Sequence, residues 1–345
     1  MMPGKRLNKA VSVLLSAALL LSCAACGSTG GPADEAPAGR TVTDQSGRQV
    51  VIGGSVERIV SGYYISSSVC IALGVADKLV GIEARADTRP IYTAAKPELL
   101  ALPSVGTSKN FNLEACLDLK PDLVILPYQL RDAADTLTEM GVPAILVIPE
   151  SYDGVIEMIS VIGQAAGAEE RAGRLIAWCN DTREAVEKLT AGLRFRPSVY
   201  MCGVSSWLTT APGDMFQATL IEMAGGINAA GAIDGSGWTE ISYEHLLSLD
   251  PEVMVIPSEA GYGIDDILSD PLLAELRAIG NGKVFAMTRP LEAWDSPVPA
   301  CMLGVKWLLN LLHPDVYSDD ELMRETGAFY REFYNIGPDT TGSGS

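Results

Sequence analysis

The stretch LEACLDLKPDLVILP (residues 113–127) has a counterpart in YEHLLSLDPEVMVIP (residues 243–257), at a constant offset of 130 residues. In both copies a short helical pattern runs into a proline, an acidic residue and a continuous apolar run that ends at a second proline. A short apolar run bounded by turn residues is typical of a strand buried on both faces of a sheet. The repeat therefore predicts one helix-to-strand unit in each of two similar lobes.

Further apolar runs alternate with helical patterns from residue 41 onward, which is typical of α/β units around mainly parallel sheets. Ala168–Leu193 contains no proline and carries apolar residues near helical spacing, so one long helix is predicted between the lobes. The predicted fold class is therefore α/β, with two three-layer α/β lobes bridged by one long α-helix. The predicted strands are Arg58–Ser61, Leu79–Ile82, Leu123–Leu126, Ala144–Ile148, Val199–Cys202, Val253–Ile256 and Lys283–Ala286.

These patterns give three predicted regions: an N-terminal lobe over residues 41–166, the bridging helix over 167–194 and a C-terminal lobe over 195–345. The C-terminal lobe is predicted to end in two helices. The first covers Pro299–Leu312, and the second opens at the Ser318-Asp-Asp-Glu321 capping-box sequence and continues toward Tyr334.

The first 22 residues have the pattern of a secretory signal, with a positively charged start followed by the charge-free run Val11–Ser22. This run of twelve residues is too short to span a bilayer. It ends at Leu20-Leu-Ser-Cys23, which resembles a bacterial lipobox, so lipidation is predicted at Cys23, with Cys26 as the alternative. Residues 1–22 are therefore predicted to be a lipoprotein signal peptide.

Residues 23–40 are rich in Gly, Pro, Ala and Ser, which is the composition of a flexible tether. We therefore expect an exported protein whose folded part is attached only through lipid to the outer face of the cell membrane, or to its periplasmic side. The remaining five cysteines are widely spaced in apolar surroundings, so buried free thiols are expected rather than a disulfide framework. They are Cys70, Cys116, Cys179, Cys202 and Cys301.

Charge and histidine content narrow the partners of the chain. The formal net charge of −18 disfavours binding to nucleic acid or to an anionic membrane surface. The two histidines, His245 and His313, exclude a three-histidine zinc or copper site, so any metal is expected to arrive already chelated. We predict no cofactor, no metal held directly by the protein, and a monomer.

Four stretches together resemble a known family, the lipoprotein or periplasmic substrate-binding proteins of ABC importers for iron-siderophores, haem and cobalamin. The resemblance implies two lobes bridged rigidly by one long helix, with the ligand in the cleft between them. It also implies an ABC permease with its ATPase as partner. The stretches are Asn112–Ile125, Ala224–Asn228, Ser242–Pro251, and Ser296–Pro299 with Leu303–Leu308.

The resemblance further implies two sets of functional residues. In cobalamin-binding members one glutamate on each lobe docks onto arginines of the permease, and these positions correspond to Glu114 and Glu244, which also form a pair in the internal repeat. Ligand contacts are expected from loops at the facing ends of the two sheets. The candidate ligand-binding residues are Tyr63, Tyr64, Arg85, Lys109, Asn110, Tyr128, Trp207, Trp238, Arg289 and Trp294.

The residue types in this set leave the ligand open. Ser108-Lys109 replaces a cleft tryptophan of the cobalamin binders, whereas Arg85, Lys109 and Arg289 suit the oxygens of a ferric chelate. The expected function is therefore capture of an iron-siderophore-type metal chelate for import, with cobalamin or another corrinoid as the alternative. Haem is a further alternative, held by a tyrosine phenolate. A secreted hydrolase and a surface adhesion or signalling protein are the alternatives outside transport.

Overall fold

Two four-stranded parallel sheets form the frame of the molecule in the computed structural model, which describes residues 39–235, 237–288 and 291–337. The strand order is β4-β3-β7-β8 in the N-terminal sheet and β11-β9-β13-β14 in the C-terminal sheet, and residues 37–345 belong to one compact unit. The strands are β1 Arg40–Thr43, β2 Gln49–Ile52, β3 Ile59–Ser61, β4 Leu79–Gly81, β5 Gly106–Thr107, β6 Asn110–Phe111, β7 Leu123–Pro127, β8 Ala144–Val147, β9 Ser198–Met201, β10 Thr209–Thr210, β11 Ile227–Asn228, β12 Thr239–Glu240, β13 Val253–Ile256 and β14 Val284–Ala286.

Helices cover both sheets and connect them. All adjacent strands in the two sheets pair in parallel, as βαβ connections require, whereas β1–β2, β5–β6 and β10–β12 are separate antiparallel pairs. The helices are α1 Tyr64–Ala72, α2 Pro90–Ala95, α3 Leu113–Asp118, α4 Arg131–Glu139, α5 Tyr152–Ala166, α6 Glu169–Thr190, α7 Phe216–Met223, α8 Tyr243–Leu249, α9 Ile264–Leu268, α10 Arg277–Gly280, α11 Cys301–Leu312 and α12 Asp319–Tyr334.

The predicted repeat is confirmed, because α3 with β7 and α8 with β13 are equivalent helix-to-strand units. Each repeat strand is third in the order of its sheet, and every residue of both strands is buried. The helices also begin alike: Asn112 accepts a hydrogen bond from the Ala115 N–H, and Ser242 accepts one from the His245 N–H. Side-chain caps of this kind satisfy a donor that the first helical turn leaves free.

The repeat also explains why an acidic residue follows the first proline. The Asp122 carboxylate accepts hydrogen bonds from the N–H groups of Glu57 and Arg58, at the start of β3. In the second lobe Glu252 accepts from the Ser198 N–H, at the start of β9. Each acid thus ties the repeat strand to its neighbour and fixes their parallel register.

The long helix α6 is the bridge between the sheets. Along the chain it lies between β8, the last strand of the first sheet, and β9, the first strand of the second. It starts after Gly167, whose positive φ of 72° ends α5, and it lies within the predicted range of 167–194. Its Trp178 ring stacks on Phe329 of α12, with 4.4 Å between ring centroids. Residues of both sheets, including Ile125 and Val255, belong to one continuous core, so the two lobes pack against each other.

The sequence predictions for the C-terminal helices and the thiols are confirmed. Helix α12 begins with the predicted capping box, in which Ser318 and Glu321 exchange hydrogen bonds. The five cysteines of the described chain are all buried and free. The sequence did not predict β11, an edge strand of two residues, because so short a run carries no apolar pattern. Within the described ranges no helix is both long and apolar enough to cross a membrane.

Several predictions concern residues outside the described ranges. They are the signal peptide over residues 1–22, most of the tether over 23–40, the lipidation sites Cys23 and Cys26, and Arg289. The last residue assigned to the tether, Arg40, begins β1 and donates a hydrogen bond to the Ala165 carbonyl.

Candidate functional site

A cavity of about 380 Å³ lies between the carboxyl ends of the two sheets and takes its walls from both lobes. The N-terminal lobe contributes the segments that follow β7 and β8, and the C-terminal lobe contributes the segments that precede α7 and β12. Ligands of open α/β sheets bind outside the carboxyl ends of the strands, so this is the expected place for a ligand. The lining residues are Tyr128, Gln129, Ile148, Glu150, Asp214, Met215 and Gly237.

Tyr128 is the one predicted ligand residue that lines this cavity among those the structure describes. It directly follows the buried strand β7, its ring is 41% exposed, and the Arg131 guanidinium lies 5.6 Å from the ring centroid. The charged lining residues Glu150 and Asp214 were not predicted. Only their places along the chain could have indicated a role at the site, since Glu150 follows β8 and Asp214 precedes α7.

Tyr63 and Tyr64 are partly buried at the N-terminus of α1, with their rings in a T-shaped contact at 5.4 Å. Burial raises the pKa of Tyr63 well above its ordinary value, and the charges of Tyr64 and Glu150 raise it further. Burial also raises the pKa of Tyr64, while the side chain of Ser296 in the C-terminal lobe lowers it. Both phenols are therefore neutral at physiological pH.

Arg85, Lys109 and Asn110 are all exposed, and none of them lines the cavity. Arg85 is in the left-handed region with φ of 67°. Lys109 and Asn110 belong to the β5–β6 hairpin, where both N–H groups donate to the Thr107 hydroxyl. The hairpin packs against the N-terminal sheet, since Phe111 lies over Gly62, just after β3.

The predicted tryptophans occupy three different environments. Trp238 is 38% exposed and directly follows the cavity residue Gly237. Trp207 is half-buried and packs edge-on against Tyr262 within the C-terminal lobe, with 5.3 Å between ring centroids. Trp294 is only 3% exposed and donates its indole N–H to the Tyr330 hydroxyl, so the expected exposed position in the cleft is wrong for this residue.

Three buried acids, which the sequence did not predict as a group, lie in the segments between the lobes. Glu83 accepts hydrogen bonds from Ser67 and Tyr92, and Asp295 accepts one from Ser258. Burial raises the pKa of Glu83 and of Asp295. Neither Glu83 nor Asp295 lines the cavity.

The third buried acid, Glu292, accepts a hydrogen bond from the Tyr334 hydroxyl of α12. Burial raises its pKa to about 8. Glu292 therefore carries a proton at neutral pH. In this form it links the 291–296 segment to the C-terminal helix.

Glu114 and Glu244 are both exposed on the first turns of α3 and α8, at equivalent positions of the repeat. The pKa of Glu244 is lowered by its own backbone N–H and by Ser242, so it is ionised at neutral pH. Neither residue lines the cavity. The described ranges contain no group of three or more His, Cys, Asp or Glu side chains that could hold a metal ion.

Comparison with known proteins gives the family. Residues 59–291, more than half of the chain, match the model of the family described as periplasmic binding protein. The chain belongs to the periplasmic binding protein family. Its members serve ABC importers as substrate-binding components outside the cytoplasm, and the chain takes this role.

Individual relatives extend over most of the chain. The molybdate-binding protein MolA of Haemophilus influenzae is 25% identical, over 86% of this chain and 91% of MolA. The Fe(3+)-citrate-binding protein YfmC of Bacillus subtilis is 25% identical, over 84% of this chain and 91% of YfmC. The crystal structure of a periplasmic solute-binding protein from Veillonella parvula superposes with a TM-score of 0.77 at 28% identity, covering 88% of this chain and 96% of that one. The predicted family and α/β architecture are therefore confirmed.

Proposed function

We propose that this substrate-binding protein captures a compact metal chelate of the iron-siderophore type in the cavity between its lobes and delivers it to an ABC permease and its ATPase. The cavity that both lobes line carries this proposal. At about 380 Å³ it is near the lower end of the roughly 300–1,000 Å³ range of small-molecule sites. This size favours a compact chelate over the larger corrinoid and haem ligands.

The lining combines one aromatic ring, one amide and two acids, which suits a chelate that carries hydroxyl or amide groups. Tyr128 offers a flat ring at little rotamer cost, and Gln129 offers both hydrogen-bond donors and acceptors. Glu150 and Asp214, on opposite lobes, accept hydrogen bonds from ligand hydroxyl or amide groups. The ligand therefore makes contacts to both lobes at once, which is how a binding protein distinguishes its loaded state.

Delivery and anchoring complete the proposal. Glu114 and Glu244 are the proposed docking carboxylates for basic patches on the permease, and both are exposed on rigid helices. The chain is proposed to act as a monomer that is lipid-anchored at Cys23, or alternatively at Cys26, on the outer face of the cell membrane. One relative in Bacillus subtilis, 27% identical over 91% of this chain, is described as an ABC transporter substrate-binding lipoprotein, which supports the anchor.

A titration panel tests the ligand class. The purified protein is titrated by calorimetry with ferric citrate, a ferric hydroxamate, molybdate, haemin and cyanocobalamin. Saturable binding of one of the two ferric chelates is the expected result. Binding of cyanocobalamin or haemin alone would replace the chelate by the corrinoid or haem alternative, and binding of molybdate alone would replace it by an oxyanion. No binding to any of the five would contradict the proposal.

Tyr128→Ala is expected to weaken binding of the ferric chelate about 5- to 10-fold, because it removes the exposed ring from the cavity wall. Calorimetric titration of the variant measures the change. Phe195→Ala is the matched control, since Phe195 is an aromatic residue with 59% exposure that does not line the cavity. Equal affinities in both variants and the parent would remove Tyr128 from the site.

A further inference from the structure

Arg89 forms an ion pair between the two lobes. Its Nη1 lies 2.6 Å from the Glu259 Oε1, although the two residues are 170 positions apart in the chain. Arg89 directly precedes α2 in the N-terminal lobe, and Glu259 follows β13 in the C-terminal lobe. Their side chains are only 20% and 28% exposed, so the pair is shielded more than a typical surface ion pair.

Two further contacts cross between the lobes beside this pair. The Arg89 guanidinium lies 3.9 Å from the centroid of the Tyr64 ring, and the side chain of Ser296 in the other lobe lowers the pKa of the Tyr64 hydroxyl. Two residues after Arg89, the Ile91 N–H donates to the Leu291 carbonyl at 3.1 Å. Arg89 is therefore at the centre of a small cross-lobe network rather than in an isolated pair.

The network continues to the cavity wall. Tyr64 contacts Tyr63 in the T-shaped pair, and Tyr63 follows strand β3, whose neighbour β7 leads directly into the cavity residue Tyr128. Arg89 lowers the pKa of both phenols, so it is electrostatically coupled to the same wall. A change at Arg89 therefore reaches the ligand site through two packed aromatic rings.

The position of Arg89 has an energetic cost. Its Nε is buried without a hydrogen-bond partner, and a buried unsatisfied donor costs free energy. The ion pair must also offset the loss of solvent around both charges. The contacts of the guanidinium with Glu259 and Tyr64 offset this cost at the observed spacing of the lobes.

We infer that Arg89 and Glu259 form a latch that fixes the spacing of the lobes and thereby the width of the ligand cavity. Arg89 is then a positioning residue, since it acts on the ligand through Tyr64 and Tyr63. The effect on ligand affinity rests on the proposed function, but the effect on lobe spacing does not. The two are therefore measured separately.

The lobe spacing is measured by electron paramagnetic resonance between spin labels at Met140→Cys and Leu272→Cys. These positions are each 57% exposed and lie on opposite lobes, while the five native cysteines of the described chain are buried. Cys23 and Cys26 are replaced by Ser so that they do not react. Arg89→Met, Glu259→Met and the double variant are compared with the labelled parent.

Each single variant is expected to broaden the distance distribution, and the double variant is expected to broaden it by less than the two single effects added together, because both changes remove the same ion pair. Glu259→Met removes the carboxylate without shortening the side chain, so it remains informative if Arg89→Met does not fold. The matched control is Arg277→Met with Asp250→Asn, which breaks an ion pair of 2.7 Å within the C-terminal lobe and should leave the distribution narrow. An unchanged distribution in Glu259→Met would overturn the latch, as would broadening in the double variant that equals the sum of the single effects.

The ligand arm uses ferric citrate and the ferric hydroxamate as probes. If a probe binds the parent, Glu259→Met is expected to raise the dissociation rate of that probe several-fold, with the control pair unaffected. If neither probe binds the parent, the proposed ligand class fails while the distance measurement still decides the latch. Unaltered dissociation together with a broadened distribution would overturn the coupling of the latch to the cavity.

Discussion

Replacing Glu292 by Gln is expected to stabilise the protein at pH 9 and to change its stability little at pH 5. Burial raises the pKa of Glu292 from 4.5 to about 8, since one carboxyl oxygen accepts only from the Tyr334 hydroxyl and the other is buried without a partner among the described residues. The folded state therefore holds a proton that the unfolded state releases above pH 4.5. Stability must then fall as the pH rises from about 4.5 to 8 and stay low above that range. Ionisation of Glu292 should lower the free energy of unfolding by on the order of 3 to 5 kcal/mol.

Glutamine keeps the shape and the acceptor for Tyr334 but cannot ionise, so Glu292→Gln should remove much of this pH dependence. Urea unfolding of the parent and the variant at pH 5, 7 and 9 measures the pH dependence of the free energy of unfolding. Glu83 and Asp295 also have raised pKa values through burial, so part of the decline with pH should remain in the variant. Glu139→Gln, at an exposed position, is the control and should follow the parent at every pH. A parent whose stability rises between pH 5 and 9 would contradict the protonated state of Glu292.

The fold was predictable from the sequence because its main signals are local. The apolar runs of β7 and β13 are buried on both faces, and the proline and acid before each run mark the turn that starts it. The capping box at Ser318 likewise depends only on neighbouring residues. Patterns of this kind report the secondary structure and, through the repeat, the two-lobe organisation.

The site was predictable only in part, because contacts between distant segments decide which side chains reach the cavity. Trp294 follows a strand in a loop, as Tyr128 does, yet helix α11 covers it. Gly304 packs so closely that a Cβ there would lie 2.4 Å from the Trp294 carbonyl oxygen. Tyr330 of α12 then takes the indole N–H. No local pattern encodes these contacts, nor the pairing of Arg89 with Glu259.

Replacing both Glu114 and Glu244 by Ala is expected to reduce uptake of the chelate by tenfold or more while leaving its affinity for the purified protein unchanged. Both carboxylates are exposed and outside the cavity, so their loss does not touch the ligand site. The helices should also survive, because Asn112 and Ser242 provide the side-chain caps. Charges held on two rigid lobes set the orientation and the rate of docking, so their removal should act mainly on the encounter with the permease.

Two measurements separate the steps: calorimetry with the purified variant gives chelate affinity, and uptake of radiolabelled ferric chelate by cells that hold the permease gives delivery. The control is Glu139→Ala with Glu275→Ala, which removes the same charge from one exposed position on each lobe. If the control loses as much uptake as the test variant, uptake depends on the net charge of the protein and not on the positions of Glu114 and Glu244, and the docking prediction is wrong. If the test variant loses chelate affinity, docking and capture are not separate. Because Glu114 and Glu244 occupy equivalent repeat positions, each single variant should retain one of two similar docking points and lose less than the double variant.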